Sequence, residues 1–374
     1  MTALSVIAAL NILEQQHALL FFLIDLSLKA TLLLSAAFFI QLLIGKSTPS
    51  TKSIVWMMAF AGLILLPLFH QIIPSISFSY SYLSVLENYA GTAQTWEVFA
   101  AQIGATARSL FGVALAYLLV SGLLFFYLLS GIFKVIVFSH RAKPFKHEIA
   151  QQSLQHLQQV NGFHRPIELL LSPEISSPLT WGLWRHKIIF PLAAYGWSSE
   201  LLQQSISHEL GHVQRADWIL QIISRVAISL YWVNPLVWLA LRKLLIESEK
   251  ACDDVAIENS GSPLSYAENL LRLAHNYNAH RTFCAPALLG IQSSLSQRIR
   301  HILKQEVNLR SSDTSNILPS LIFAALVVAP FSALGIQFQQ MELPSNIHFD
   351  PPVISVSFFP NGTREHDFLM AEFR

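Results

Sequence analysis

The sequence predicts a predominantly α-helical, polytopic membrane protein with a mixed α/β domain inserted between its third and fourth spans. Three observations predict it. Of 374 residues, 53% are hydrophobic and only 13% are charged, about half the charged share of a soluble domain. Apolar residues gather at 26–45, 54–73, 110–133 and 317–336, each close to the roughly 20 residues that cross a bilayer as a helix. Between the third and fourth stretches the chain turns polar, and short apolar runs bounded by proline replace the long ones.

Residues 1–25 are expected to form an amphipathic N-terminal segment. Residues 1–13 are apolar but lack a basic leader, and Glu14 follows, so a cleaved secretory signal is not expected. Residues 26–138 hold three transmembrane helices and their loops. Lys29 falls inside the first, and its pairing with Asp25 one turn earlier predicts that it sits at the membrane surface and snorkels.

Orientation follows from the basic residues, which favour the cytoplasmic side. Lys46 and Lys52 lie in the first link, and Lys134, Arg141, Lys143 and Lys146 follow the third span, whereas 74–107 has Glu87 and Glu97 but no Lys or Arg. This places the first link and the inserted domain (139–315) in the cytoplasm. The N-terminus, the second loop and the tail (338–374) beyond the fourth helix (316–337) lie outside. The net charge of +1 averages over both sides and identifies no partner.

Within the inserted domain, 146–160 is polar with helical spacing, and 167–171 and 185–190 read as short strands. Ser198 or Ser199 supplies an N-cap for the next helix. That helix carries His208-Glu209-Leu210-Gly211-His212. Two imidazoles four positions apart project from one helix face and can grip one metal, while the glutamate between them reaches water at that metal. A catalytic zinc of this kind takes a third protein ligand, often glutamate, and keeps one position open. Glu247 and Glu249 compete for the post, two residues apart and so on nearly opposite helix faces. Glu249 is chosen because Asp253 follows it one turn on, where a carboxylate can accept the second N–H of a ligand histidine, most plausibly His208. The expected cofactor is one zinc per chain on His208, His212 and Glu249, with Glu209 as general base. Cys252 is a minor alternative ligand. His186 is a weak candidate for stabilising an oxyanion, and the two cysteines, Cys252 and Cys284, are not expected to form a disulfide.

The metal also decides how to read 226–241, sixteen uncharged residues that a hydropathy window would take for a span. A crossing there would put the two histidines and Glu249 on opposite sides of the membrane. The stretch is expected instead to form two helices joined near Asn234-Pro235, packed inside the domain or lying against the membrane.

The arrangement H-E-x-x-H followed by E-x-x-x-D resembles the thermolysin-like zinc peptidases. The wording around it is narrower. Ser177-Pro178-Leu179-Thr180-Trp181-Gly182-Leu183, the run from Ser207 through Asp217, Trp232-Val233-Asn234-Pro235-Leu236-Val237-Trp238, and Glu249-Lys250-Ala251-Cys252-Asp253 together look like the membrane metallopeptidases of the BlaR/MecR type, the β-lactam sensor-transducers of bacteria. The resemblance implies an edge strand that pairs with extended substrate, assigned to Arg185, His186, Lys187, Ile188, Ile189 and Phe190. A similar stretch in that family includes Tyr266, to which the sequence gives no role. Well-known members carry a penicillin-binding domain after the last span. Here 38 residues follow Ile336 and no lysine has a serine three positions before it, so direct β-lactam acylation is not expected. The tail, with an apolar run at 353–359, could add a strand to an extracytoplasmic partner or stay poorly ordered.

The functional expectation is a metalloendopeptidase of the bacterial inner membrane that cleaves a cytoplasmic transcriptional repressor, itself, or both. A quality-control protease and a non-enzymatic zinc-containing receptor are the alternatives. Expected partners are a protein or peptide substrate and the lipid bilayer, with no direct contact to nucleic acid and with a homodimer compatible.

Overall fold

The computed structural model describes residues 3–45, 47–72, 77–79, 93–182, 185–278, 292–304 and 337–339, with side chains at 22–45, 47–68, 111–182, 185–275 and 295–304. The fourth apolar stretch, the 353–359 run, Lys46 and Cys284 lie outside these residues, and Glu14 is described by its backbone alone. The architecture is mostly helical. Helix α1 (Ala3–Leu43) runs unbroken through the boundary expected at residue 25, and α2 (Pro49–Ile72) follows a short turn. Strand β1 (Ser77–Ser79) precedes α3 (Ala93–Arg141). Among the described residues, three segments are long and apolar enough to cross a membrane: Phe22–Leu43, Pro49–Leu68 and Phe111–Arg141.

One expectation about the first span is corrected. Lys29 and Asp25 form an ion pair of 2.7 Å, but both are buried, at 2% and 5% exposure, so the lysine does not reach for the surface. They sit on the face of α1 that also carries Leu26, Ala30 and Leu33 into the largest apolar cluster, where snorkelling has no path to water.

The polar insertion contains a four-stranded sheet in the order β2-β3-β5-β4, built from β2 (Lys143–Pro144), β3 (Ile167–Ser172), β4 (Leu179–Trp181) and β5 (His186–Pro191). β3 and β5 are parallel, and the other two pairings are antiparallel. α4 (Glu148–Val160) and α5 (Ser199–Arg215) cover one face, where Leu154, Leu157, Ile206 and Leu210 meet Leu169, Leu171, Ile188 and Phe190. Leu170 and Ile189 point the other way, onto Ile175 and the end of α3 at Phe138. Covering on both faces is why these strands read as continuous apolar runs rather than alternating ones.

That order overturns the edge position given to Arg185, His186, Lys187, Ile188, Ile189 and Phe190. β5 is hydrogen-bonded on both sides, to β3 from His186 onward and to β4 at Lys187, Ile188 and Ile189. Among the described residues, the sheet edge beside α5 is β4. The sequence hid this because β4 is only three residues long and carries too little periodicity to register.

Ser198 caps α5, accepting from the Leu201 amide at 3.2 Å. The helix ends at Ala216, whose φ of 52° is left-handed, and α6 (Asp217–Tyr231) begins at once. The Asn234 side chain caps α7 (Pro235–Ser260) by accepting from the Leu236 amide, with Pro235 in the first turn, where its missing N–H costs nothing. The apolar run at 226–241 is thus two helices meeting at Asn234-Pro235, and they pack against α1 and α2. α8 (Pro263–Asn278) and α9 (Gln292–Lys304) close over the far half of α7 through Tyr266, Ala267 and Ile302. Strand β6 (Gln337–Gln339) pairs in parallel with β1.

Candidate metal centre

Helix α5 presents His208 and His212 on one face, with ring centroids 5.0 Å apart. Gly211 between them lets α5 press onto α7, because a Cβ there would stand 3.2 to 3.3 Å from the Sγ, Cβ and Cα of Cys252. The close approach brings Glu249 opposite the imidazoles, its Oε2 3.6 Å from His208 Nε2 and its Oε1 3.7 Å from His212 Nε2. Donors of one tetrahedral zinc at 2.0–2.1 Å lie about 3.3 Å apart. The gaps are therefore close to what a shared ion requires, and the three donor atoms all fall within 4.8 Å of one another. Glu247 turns away and pairs with Lys250 at 2.9 Å.

Each ring is held from behind through Nδ1. For His208 the partners are Asp253 Oδ1 at 3.2 Å and the Tyr266 hydroxyl at 3.0 Å, and that hydroxyl donates to Asp253 at 2.7 Å. For His212 the partner is Asp217 Oδ2 at 2.8 Å. That oxygen also accepts from Ser248 at 2.7 Å and from Arg215 Nε at 3.3 Å. Orienting both Nδ1 atoms leaves both Nε2 atoms for a metal and fixes the ring tautomers.

Cys252 stands on the wrong side to complete this set, its Sγ 3.3 Å from His212 Nδ1 rather than facing Nε2. With His212 and Asp217 it forms a second close donor triple among the described residues. Burial first and the neighbouring Asp217 next push its thiol well above the ordinary range, so it is neutral in the metal-free chain.

Arg298 of α9 supplies the balancing charge. Its guanidinium grips Asp253 with two bonds of 2.8 and 2.6 Å and reaches Glu249 Oε2 at 2.9 Å. Burial would raise the Glu249 carboxyl, but Arg298 and the two histidines outweigh it and lower the pKa to about 2. Asp253 is held well below the carboxylate range against the same burial, by Arg298 first and His208 next. For His208 burial works to lower the pKa, yet Asp253 and Glu249 overcome it and raise the value to about 9.

Glu209 is buried and points toward β4, where the Thr180 hydroxyl donates to its Oε2 at 2.6 Å. Thr180, not His186, is the strand residue that reaches the motif. His186 is buried with its ring 5.8 Å from that of Phe163.

Zinc-type donors, oriented rings and an adjacent carboxylate form a coherent site, and a family model described as BlaR1 peptidase M56 matches residues 21–302 around it. The chain belongs to that family. Among curated relatives of this M56 chain, the regulatory protein BlaR1 of Bacillus licheniformis is 26% identical over 201 residues, covering 50% of this chain and 32% of the relative. The methicillin resistance mecR1 proteins of Staphylococcus aureus and Staphylococcus epidermidis are 22% identical over 191 residues, covering 50% and 33%. The matched part thus spans about a third of those relatives' length. Family and apolar helices together make this a membrane protein.

The structure adds Asp217, Tyr266, Arg298 and Thr180 to the residues expected from the M56 motif. Asp217 stood in the quoted signature, but five positions beyond His212 it belongs to no common helix face. Only the left-handed break at Ala216 returns it to the ring. Arg298 is 45 positions from Asp253, and nothing local in the sequence links the two.

Proposed function

We propose that this chain is a membrane-bound zinc metalloendopeptidase acting in regulated proteolytic signalling. The observation that carries the proposal is the convergence of His208 Nε2, His212 Nε2 and both oxygens of Glu249, with Glu209 held beside them by Thr180. A zinc bound there supplies a Lewis acid that acidifies water and polarises the scissile carbonyl. Glu209 accepts the proton of the attacking water and returns it to the leaving amine. Thr180 restricts the carboxylate to one orientation, leaving its second oxygen for the water. Asp253 with Tyr266, and Asp217 with Ser248, keep the two imidazoles from turning. An extended peptide adds to the free edge of β4, next to Glu209, through main-chain pairing that demands no single sequence.

The inserted domain, 139–315, is assigned to the cytoplasm. The pairing of β1 with β6 supports the topology, because it sets the segment after α2 beside the segment after the fourth apolar stretch. The proposed substrate is a cytoplasmic transcriptional repressor, the chain itself, or both, and relatives named as a regulatory protein and as methicillin resistance proteins support a signalling role. Changing Glu209→Gln in membranes tests the enzyme reading. Zinc content is expected to persist while cleavage falls about a hundredfold or more, the scale of a lost general base. Cleavage that continues undiminished would show that hydrolysis does not run through this site.

A further inference from the structure

The α6–α7 hairpin joins the two halves of the metal centre, since α6 follows the histidine helix directly and α7 carries Glu249. Its tip touches all three spans. The Tyr231 hydroxyl donates to the Leu63 carbonyl at 2.8 Å, Asn234 donates to the Thr31 hydroxyl at 2.9 Å, and the Tyr117 hydroxyl donates to the Leu230 carbonyl while its ring stands 5.7 Å from Trp232. Ala227, Ile228, Tyr231, Val237, Ala240 and Leu241 share one apolar cluster with Leu33, Leu34, Trp56, Phe60 and Leu63 of α1 and α2. The opposite face of the hairpin is also apolar and uncovered, with Leu230, Val233 and Leu239 exposed by 39%, 58% and 50%.

Leu63 lies 14 residues into the span that begins at Pro49, about 21 Å along a helix rising 1.5 Å per residue. Glu249 lies the same 14 residues from Pro235, again about 21 Å. At the other end, Arg215 donates to the Ser50 and Ser53 hydroxyls at 3.0 and 2.5 Å in the first turns of α2. The metal centre is therefore level with the start of that span, and the hairpin tip is level with its interior. The basic residues of the hairpin nearest its tip are Arg225 and Arg242-Lys243, each about 12 Å from the tip.

We propose that the α6–α7 hairpin is inserted in the bilayer without crossing it, its Leu230, Val233 and Leu239 face lying against lipid acyl chains. With Arg225, Arg242 and Lys243 at the surface, a tip about 12 Å deeper reaches nearly the middle of a hydrocarbon layer about 30 Å thick. Glu249 then stands about 9 Å to the aqueous side of those residues, at the level of the lipid headgroups. The centre so placed acts on peptide segments that lie along the membrane surface. This deepens the peptidase reading, but the placement of the hairpin rests only on α1, α2 and α3 being spans, so it is tested without any hydrolysis.

The full chain is reconstituted in phosphatidylcholine vesicles containing a phospholipid with a diazirine near the end of its acyl chain, irradiated and mapped by mass spectrometry. Adducts are expected on Leu230, Val233 and Leu239 within about threefold of those on exposed Phe111, Leu119 and Phe126 of α3. They should be at least tenfold above Leu192 and Tyr195, which are exposed on the sheet layer. Hairpin labelling no higher than that of Leu192 and Tyr195 overturns the insertion. Loading the centre with cobalt(II) tests its height separately. Relaxation of nitroxide lipids should be enhanced more by a headgroup label than by a label at the acyl end, and the reverse order overturns the headgroup placement while leaving the peptidase reading intact.

Discussion

Replacing Asp217 by asparagine isolates the charge behind His212. The four donors around this carboxylate, His212 Nδ1, Ser248 Oγ, Arg215 Nε and Cys252 Sγ, all converge on Oδ2, at 2.8, 2.7, 3.3 and 3.7 Å. Oδ1 is buried with no hydrogen-bond partner among the described residues. An asparagine can keep its carbonyl oxygen where Oδ2 stood and put its amide where Oδ1 stood, so the shape survives and only the negative charge goes. That charge makes the imidazole a better donor to a metal, and removing such a partner weakens metal binding about 10- to 100-fold, which corresponds to about 1.4 to 2.7 kcal/mol. The assay is competitive titration of zinc against a chelator, using the full chain in detergent, with Glu247→Gln as the comparison because Glu247 faces Lys250. Asp217→Asn is expected to weaken zinc by that factor while the far-ultraviolet spectrum stays unchanged and Glu247→Gln stays within about twofold. Equal zinc affinity in Asp217→Asn and the parent would refute the argument that Asp217 tunes His212.

Three further outcomes follow from the same network. Arg298→Met strips the cation from Asp253, which is wholly buried, and from Glu249, so the metal-free chain should lose about 3–5 kcal/mol, the scale of a buried pair broken from one side. Thermal unfolding should show a smaller loss once zinc is loaded, and equal losses with and without zinc would refute the pairing. Because the His208 pKa is raised to about 9 from an ordinary 6.5, its charged form stabilises the metal-free fold fully below pH 6.5, and that contribution disappears as pH rises through about 9. Zinc must displace this proton, so its affinity should climb between pH 7 and 9, and calorimetry in buffers of different ionisation heat should find proton release on binding at pH 7; no release would contradict the shift. Gly211→Ala forces a methyl to within 3.2–3.3 Å of Cys252, so α5 and α7 must part by a few tenths of an ångström, at a cost of about 1–3 kcal/mol, read as a lower unfolding temperature together with weaker zinc binding.

Much of this protein is written locally. The apolar helical segments Phe22–Leu43, Pro49–Leu68 and Phe111–Arg141 lie close to the stretches expected from composition, because a long apolar run needs no partner to be recognised. The Ser198 cap, the β3 and β5 runs and the turn at Asn234-Pro235 are likewise short-range chemistry. The grouping of His208, Glu209 and His212 follows from helical spacing, and preferring Glu249 over Glu247 needed only the four-residue step to Asp253. What failed was long-range. Lys29 looked like a surface anchor because the sequence could not show that its face of α1 packs inside a bundle. Arg185 to Phe190 looked like an edge because strand order is not encoded in any one strand.

The sequence by itself therefore determined which residues make up the candidate metal centre and which segments are apolar enough to cross a membrane, since both are properties of side-chain type and local spacing. Tertiary structure decided what surrounds them. The left-handed turn at Ala216 returns Asp217 to His212, and α9 carries Arg298 across 45 residues of chain to Asp253. β4 delivers Thr180 to Glu209, and α1, α2 and α3 clasp the tip between α6 and α7. Burial makes those contacts consequential. Away from water a charge must find its partner in the fold, however distant that partner is along the chain.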